Sequence, residues 1–172
     1  YDSGGEYEVC MQGDFGLNQQ TTQTRVKVTD IVKYQPQPQS TVFGCNNYDN
    51  ITTLTVSDQP NQTTFAQFFK GADNFVGGIS HWNPTCTSIT GLFYGAGNAN
   101  PAGLNNWTVS GISNFGVTFF LASSFNQDLN SWDVSSMTSA TRMFQGCTVF
   151  NGNVSSWDVS SLSNGTFMFY GC

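Results

Sequence analysis

Large apolar residues recur along the chain at an interval of 25 residues, and mostly polar residues fill the positions between them. The clearest example is the set of tryptophans, which are Trp82, Trp107, Trp132 and Trp157. Polar and apolar positions alternate around most of these tryptophans, as is typical of a short strand that turns its apolar side chains inward. A fixed period of about 20–50 residues is typical of stacked repeats, in which each unit buries its apolar side against its neighbours. The pattern therefore predicts a stack of repeats with inward-facing tryptophans.

Further columns of residues keep the same interval. One column is aromatic and contains Phe69, Tyr94, Phe119, Phe144 and Phe169. Another lies five residues after each tryptophan and contains Thr87, Ile112, Met137 and Leu162. Together with the aliphatic residue three positions before each tryptophan, this spacing has the form of the strand segment of leucine-rich repeats. We therefore predict a mainly β protein, a right-handed leucine-rich-repeat-like solenoid of 25-residue repeats with a small N-terminal β segment.

The repeats divide the chain into two parts. Residues 1–40 carry no repeat and include two predicted strands, at 6–12 and 24–34, so we expect a β-strand arm or cap there. Residues 41–172 are predicted to form the repeats. The first rung, at 43–60, is degenerate because Leu54 takes the tryptophan position. An atypical terminal repeat is expected of a repeat stack.

Polar positions after each tryptophan form a predicted outward-facing ladder. Its members are Asn83, Thr108, Asp133, Asp158, Ser135 and Ser160. The ladder is either a solvated face whose groups bond to one another or a recognition surface, since stacked repeats commonly bind partners along one face. Small hydroxyl groups are poor interface anchors compared with Trp, Tyr and Arg, which favours the solvated face.

Candidate chemistry is sparse. Asp133 and Asp158 lie one repeat apart, and paired carboxylates can serve as a hydrolytic acid and base or bind calcium. Both belong to a repeated motif, however, and such residues more often bond the adjacent backbone or hydroxyl groups. His81 is the single histidine, which leaves little material for His-based metal sites or triads. We predict no enzymatic activity, no metal and no cofactor.

The last two repeats are closely similar to each other. Residues 125–136 read FNQDLNSWDVSS, residues 150–161 read FNGNVSSWDVSS, and residues 143–147 read MFQGC. These runs resemble the BspA-like, DUF285 family of surface-protein repeats, a relative of the leucine-rich repeats. The resemblance is strong over 115–172, weaker over 65–114 and absent from the N-terminal segment. It implies a secreted or cell-surface protein without catalysis, and it identifies no ligand.

Composition narrows the range of partners. Charged residues make up 9% of the chain and the net charge is −6, whereas a nucleic-acid surface needs a basic stripe. No apolar run approaches the roughly 20 residues that a membrane span needs. We therefore expect an extracellular or cell-surface protein with no nucleic-acid partner and no membrane span.

Five cysteines suggest disulfides in an oxidising compartment. Cys147 and Cys172 occupy the same position one repeat apart, and strands about 4.8 Å apart allow a disulfide between them. Of the other three, Cys10 and Cys45 are further candidate disulfide residues. The odd total leaves one cysteine unpaired or joined to another chain, and the alternative is five free thiols in a reducing compartment.

Asn-x-Ser/Thr sequons mark candidate glycosylation sites. Their asparagines are Asn50, Asn61, Asn106, Asn153 and Asn164. The chain is rich in Asn, Ser and Thr, so several such sequons are expected by chance.

Two functional hypotheses follow from these features. In the first, the chain is an extracellular structural subunit that assembles head to tail with copies of itself, because its last repeat stops at Cys172 without a following tryptophan segment. The apolar residues expected to lie uncovered there are Phe167, Met168, Phe169 and Tyr170. Residues 1–40 of a neighbour would cover them by strand addition. In the second, the chain is an adhesin or binding module that recognises a protein or glycan on its polar ladder.

Overall fold

The computed structural model of the chain describes residues 65–77 and 79–172, together with the backbone of two short strands. Strand β1 spans Asp30–Ile31 and strand β2 spans Thr53–Leu54. They pair in parallel, with Asp30 opposite Thr53 and Ile31 opposite Leu54. The remaining predictions for the N-terminal arm and the degenerate rung lie outside the described residues.

The prediction of a mainly β, right-handed leucine-rich-repeat-like solenoid is wrong. Within residues 65–77 and 79–172 the only helix or strand of more than one residue is a 3₁₀ turn, Leu104–Asn106. Isolated parallel bridges join one repeat to the next at Ser88, Asn114, Ser139 and Asn164. The 25-residue repeats are therefore stacked, but they are built mainly from turns.

Positive φ angles keep the aromatic part of each repeat from forming a strand. We call these parts the turn segments, and they span 65–72, 89–96, 115–122, 140–147 and 165–172. In the first of them Gln67 has φ 57° and Gly71 has φ 66°. The corresponding positive angles lie at Gly91, Gly95, Val117, Leu121, Arg142, Gly146, Phe167 and Gly171. Left-handed residues spaced four apart are incompatible with an extended strand and reverse the chain repeatedly.

Successive backbone N–H groups in the turn segments donate alternately to carbonyls of the same repeat and to carbonyls of the next repeat. The N–H of Lys70 donates to the Gln67 carbonyl within the same repeat, at 3.1 Å. The N–H of Gln67 donates to the Thr90 carbonyl of the next repeat at 2.9 Å, and the N–H of Phe69 donates to the Leu92 carbonyl at 2.8 Å. The turn segments thus close turns and join neighbouring repeats at the same time.

The tryptophan segments are held together differently. Trp82, Trp107 and Trp132 are buried, with 1–2% of their surface exposed, so the predicted inward orientation is confirmed. The indole Nε1–H of Trp132 donates to the Leu104 carbonyl at 2.7 Å, and Trp107 and Trp157 make the same bond to the repeat before them. Side-chain hydrogen bonds link these segments to the neighbouring repeats, where a sheet would have a backbone ladder. The tryptophan segments are therefore not strands.

The aromatic column differs from the prediction at one position. Phe93, and not Tyr94, stacks between Phe69 and Phe119, with ring centroids 4.9 and 5.8 Å away. Tyr94 is half-buried and instead stacks on Phe120 at 4.8 Å.

A one-residue change of register explains this difference. The bridge from Ser88 to Asn114 spans 26 residues, whereas the later bridges span 25. The chain from Trp82 to Ser88 is one residue shorter than the chain from Trp107 to Asn114, and an extra residue before Leu104 restores the tryptophan interval. For the same reason Thr87 is exposed and Cys86 is buried in its place.

Candidate functional site

The polar ladder lies on the surface, as predicted from the alternation around each tryptophan. All six of its predicted members are exposed: Asn83, Thr108, Asp133, Asp158, Ser135 and Ser160. These side chains are accessible to a partner, so their hydrogen bonds within the protein determine which polar atoms remain available for binding.

Most of these groups bond within the protein. The Asn83 Oδ1 atom accepts the Thr108 N–H of the next repeat at 3.1 Å. The Asp133 Oδ1 atom accepts both the N–H of Ser135, at 3.1 Å, and its hydroxyl, at 2.7 Å. Asp158 accepts the Ser160 N–H at 2.9 Å. The aspartates therefore close local turns, which is the structural role expected of a repeated residue.

Hydrogen bonding also favours the ionised form of Asp133 and Asp158 by lowering their pKa values. The Ser135 hydroxyl is the largest cause lowering the pKa of Asp133, followed by the Ser135 N–H, while the charge of Asp158 acts weakly in the opposite direction. The Ser160 N–H is the largest cause lowering the pKa of Asp158. Two exposed carboxylates with lowered pKa values stay ionised at neutral pH, and neither has the raised pKa of a general acid.

An asparagine ladder, which the sequence analysis missed, runs beside the polar ladder. The Asn105 Oδ1 atom accepts the Ser131 N–H of the next repeat at 3.1 Å, and Asn130 does the same for Ser156 at 2.9 Å. A parallel ladder runs from Asn100 through Asn126 to Asn151. Both ladders are indicated in the sequence by asparagines that recur at intervals of 25 or 26 residues. Polar side chains thus join neighbouring repeats on the surface of the protein.

The described cysteines are all free thiols. Cys147 is buried and Cys172 is exposed, and they hold equivalent positions in adjacent turn segments. The Cys147 thiol donates to the Phe119 carbonyl at 3.0 Å, and the Cys172 thiol donates to the Phe144 carbonyl at 3.0 Å. The structure brings the two residues together, and their disulfide stays a prediction. Cys10 and Cys45 lie outside the described residues.

Three of the candidate glycosylation asparagines fall in the described part of the chain. Asn106, Asn153 and Asn164 are all exposed. The Oδ1 atom of Asn153 accepts the Ser155 N–H at 2.9 Å, and that of Asn164 accepts the Thr166 N–H at 3.1 Å. Occupancy stays a prediction, and Asn50 and Asn61 lie outside the described residues.

The last repeat carries an apolar face that is open in this chain. Phe167, Phe169 and Tyr170 expose 52%, 45% and 65% of their surface, and Met168 is half-buried. Phe144 holds the position of Phe169 in the preceding repeat and is fully buried. The Phe144 ring stacks on the Phe169 ring with centroids 5.3 Å apart. Among the described residues, the Phe169 ring is therefore covered on one side only. We call Phe167, Met168, Phe169 and Tyr170 the open face.

Three backbone N–H donors on the open face have no acceptor among the described residues. In the preceding repeat the N–H groups of Arg142, Phe144 and Gly146 donate to Thr166, Met168 and Tyr170 at 2.8–3.0 Å. Their equivalents in the last repeat have no hydrogen-bond acceptor among the described residues, and these are Phe167, Phe169 and Gly171. The open face thus offers aromatic side chains and a row of N–H groups at the spacing that joins one repeat to the next.

Two classes of site are not found in the described part of the chain. Residues 65–77 and 79–172 contain no group of three or more His, Cys, Asp or Glu side chains positioned to hold a metal ion. No helix among the described residues is long and apolar enough to cross a membrane.

The described residues define a protein of stacked 25-residue repeats with an aromatic core. The chain belongs to the family described as "Mycoplasma protein of unknown function, DUF285", whose model matches residues 63–172. The match confirms the family resemblance drawn from residues 65–172. No curated protein and no solved structure matches the chain.

Proposed function

We propose that the chain is a non-enzymatic extracellular structural protein, a subunit that assembles head to tail into a surface filament. The open face carries this proposal. Neighbouring exposed aromatic side chains often mark an interaction surface, and backbone N–H groups without acceptors add a directional requirement for carbonyl oxygens.

The chain's own repeats indicate what covers such a face. Phe93, Phe119 and Phe144 are each covered on both sides by rings of neighbouring repeats, and the adjacent N–H groups each meet a carbonyl. A partner for the open face therefore needs apolar side chains beside a row of backbone carbonyls. We propose that a second copy of this chain supplies both through its residues 1–40, added along the open face as a further layer.

Such a contact joins two different surfaces. A contact between unlike surfaces propagates into a filament when the rotation between copies does not close a ring. Burial of the open face contributes about 25 cal/mol for each Å² of apolar surface, against the entropy lost on association.

Recognition of a protein or glycan on the polar ladder is the second candidate. It has less support because Asn83, Asp133 and Asp158 use their Oδ1 atoms within the protein. The ladder also lacks exposed aromatic or arginine anchors at its predicted positions.

Sedimentation velocity over a range of concentrations, together with electron microscopy of the 172-residue chain, tests the proposal. We expect concentration-dependent polar assemblies that are lost when residues 1–40 are deleted. A chain that stays monomeric at high concentration would exclude the subunit role and leave the binding role.

A matched pair of substitutions tests the surface itself. Phe167 and Val149 are similarly exposed, at 52% and 53%, but only Phe167 belongs to the open face. We expect Phe167→Ser to weaken self-association by about tenfold or more, a loss of about 1.4 kcal/mol, and Val149→Ser to leave it unchanged. Equal effects of the two substitutions would show that assembly uses another surface.

A further inference from the structure

The column that contains Cys147 and Cys172 is otherwise filled by alanine. Its members are Ala72, Ala96, Ala122, Cys147 and Cys172. Each follows a residue with φ between 59° and 78° and closes the same turn, for example through the Ala122 N–H to the Phe119 carbonyl at 2.9 Å and the Cys147 N–H to the Phe144 carbonyl at 3.0 Å. The thiols replace methyl hydrogens of a recurring alanine, so they are not needed to form the turn.

The last two members of the column are close neighbours. The Gly146 N–H donates to the Tyr170 carbonyl at 3.0 Å, and a Cβ atom on Gly171 would lie 4.0 Å from the Gly146 Cα atom. These contacts place the backbone just before Cys147 and the backbone just before Cys172 at the separation of adjacent repeats. That separation falls within the Cα range of about 4.4–6.8 Å that disulfides span.

We propose that Cys147 and Cys172 are a reversible redox pair whose disulfide ties the last repeat to the one before it. Forming the bond requires each side chain to turn away from its carbonyl. The thiol is a weak donor, and the Phe119 and Phe144 carbonyls keep the N–H bonds of Ala122 and Cys147. Little hydrogen bonding is therefore lost.

Exposure orders the steps of the reaction. The thiolate of the exposed Cys172 attacks one sulfur of a small-molecule disulfide of the glutathione class, and the other sulfur leaves as a thiolate that takes up a proton. The Cys147 thiol then loses its proton and attacks the Cys172 sulfur, which releases the second small thiol. The two protein thiols are oxidised by two electrons, and the small disulfide is reduced to two thiols.

Burial makes the second step slow. Desolvation raises the pKa of Cys147 to about 12, with a further contribution from the nearby Cys172 thiol. Desolvation also raises the pKa of Cys172, opposed by the Cys147 N–H. The thiolate of Cys147 is the nucleophile of the closing step. At pH values below the pKa of Cys147, the rate of this step should therefore rise about tenfold for each unit by which the pH increases.

The experiment uses the full chain in a buffer of oxidised and reduced glutathione, followed by rapid alkylation and peptide mapping without reduction. We expect a linked Cys147–Cys172 peptide, a mass lower by two hydrogens than that of the reduced chain, and recovery of both thiols with dithiothreitol. Cys147→Ala and Cys172→Ala should abolish the link and still fold, because alanine fills the same column in earlier repeats. Their thermal melts check the fold.

Amide hydrogen exchange provides a second readout. We expect oxidation to slow exchange in residues 150–172 of the native chain and to leave it unchanged in both alanine variants. A Cys172–glutathione mixed disulfide whose conversion to the Cys147–Cys172 link does not become faster as the pH is raised, or a link that joins either residue to Cys86, would overturn the proposal.

Discussion

The tryptophan side chain does two jobs in this protein. Its ring packs in the core, as where Trp132 and Trp157 stack with centroids 6.3 Å apart and planes within 3° of parallel. Its Nε1–H joins one repeat to the next by donating to a carbonyl 28 residues earlier. Trp82 differs from the other three, because its buried Nε1–H has no hydrogen-bond partner among the described residues. A buried unpaired donor destabilises the fold, so the four tryptophans are not energetically equivalent.

Trp82 and Trp132 are almost equally buried, and of these two only Trp132 donates an indole hydrogen bond to a described residue. We expect Trp132→Phe to lower the free energy of unfolding by about 1–3 kcal/mol more than Trp82→Phe does. Both substitutions remove similar ring volume, so the difference isolates the hydrogen bond. Chemical denaturation of both variants measures it. Equal losses would mean that packing alone determines the role of these residues.

At Asp133 the lowered pKa links a local turn to acid stability. A carboxylate whose pKa is lower in the folded state contributes stability that is present above its unfolded pKa, about 3.9, and is lost as pH falls through the folded pKa. The Ser135 hydroxyl is the largest cause at Asp133, whereas a backbone N–H is the largest cause at Asp158. The two turns therefore respond differently to loss of their serine hydroxyls.

We expect Ser135→Ala to raise the pKa of Asp133 more than Ser160→Ala raises the pKa of Asp158. With a smaller difference between folded and unfolded pKa values, Ser135→Ala should also flatten the acid dependence of stability. NMR titration of the aspartate side chains measures both pKa values. A larger change at Asp158 would contradict the assignment of these causes.

At the scale of the element, the repeats are joined by turns whose backbones approach closely. Gly152 illustrates this, because a Cβ atom there would overlap the Gln127 carbonyl oxygen and lie 2.9 Å from its carbon. Gly111 lies in the turn that follows Trp107, and no atom lies within 4 Å of a Cβ atom added there. Closeness between repeats, and not turn formation alone, requires glycine at residue 152.

This contrast gives a matched pair of substitutions. We expect Gly152→Ala to lower the free energy of unfolding by about 1–3 kcal/mol, because the rigid Gln127 backbone must move to accommodate the methyl group. Gly111→Ala should be neutral or raise stability by about 0.4–1 kcal/mol, since alanine reduces the freedom of the unfolded chain. Thermal or chemical melts of the two variants compare them directly. Similar losses at both positions would refute the close approach at Gly152.

At the scale of the whole molecule, the two ends of the described repeats are unlike. Phe65, Phe69 and Trp82 in the first described repeat are buried, whereas Phe169 and Tyr170 in the last repeat are exposed. Stability in a repeat stack comes mainly from contacts between neighbours, and among the described residues the last repeat has such contacts on one side only. In a polypeptide of these 172 residues the last repeat should therefore open most readily, and it is also the part proposed to bind another copy.

Amide hydrogen exchange tests this asymmetry. In the dissociated chain, the N–H groups of Phe167 and Phe169 should exchange much faster than those of Arg142 and Phe144, which donate to the last repeat. On assembly, Phe167 and Phe169 should become protected to a similar degree, with little change at Arg142 and Phe144. Protection that fails to increase in assembled material would place the contact elsewhere.

The sequence by itself determined the repeat period, the inward tryptophans, the exposed polar ladder and the family. These features are visible because a stacked repeat must present the same side chain to the same environment at each turn of the stack. The apolar character of the open face was also visible, because Met168 and Phe169 repeat the buried residues Met143 and Phe144.

Only the tertiary structure decided the class of the fold and the hydrogen bonds between repeats. The alternation around each tryptophan predicts buried and exposed side chains, but a strand also needs a backbone ladder. Here indole and asparagine side chains supply much of that linkage. Positive φ at Val117, Leu121 and Arg142 was invisible in sequence because these residues rarely adopt it without neighbouring repeats to hold them. Phe93 replaced Tyr94 in the core because a shorter segment after Trp82 and a longer one before Leu104 cancel in the tryptophan interval, so the shift appears only once the repeats are stacked.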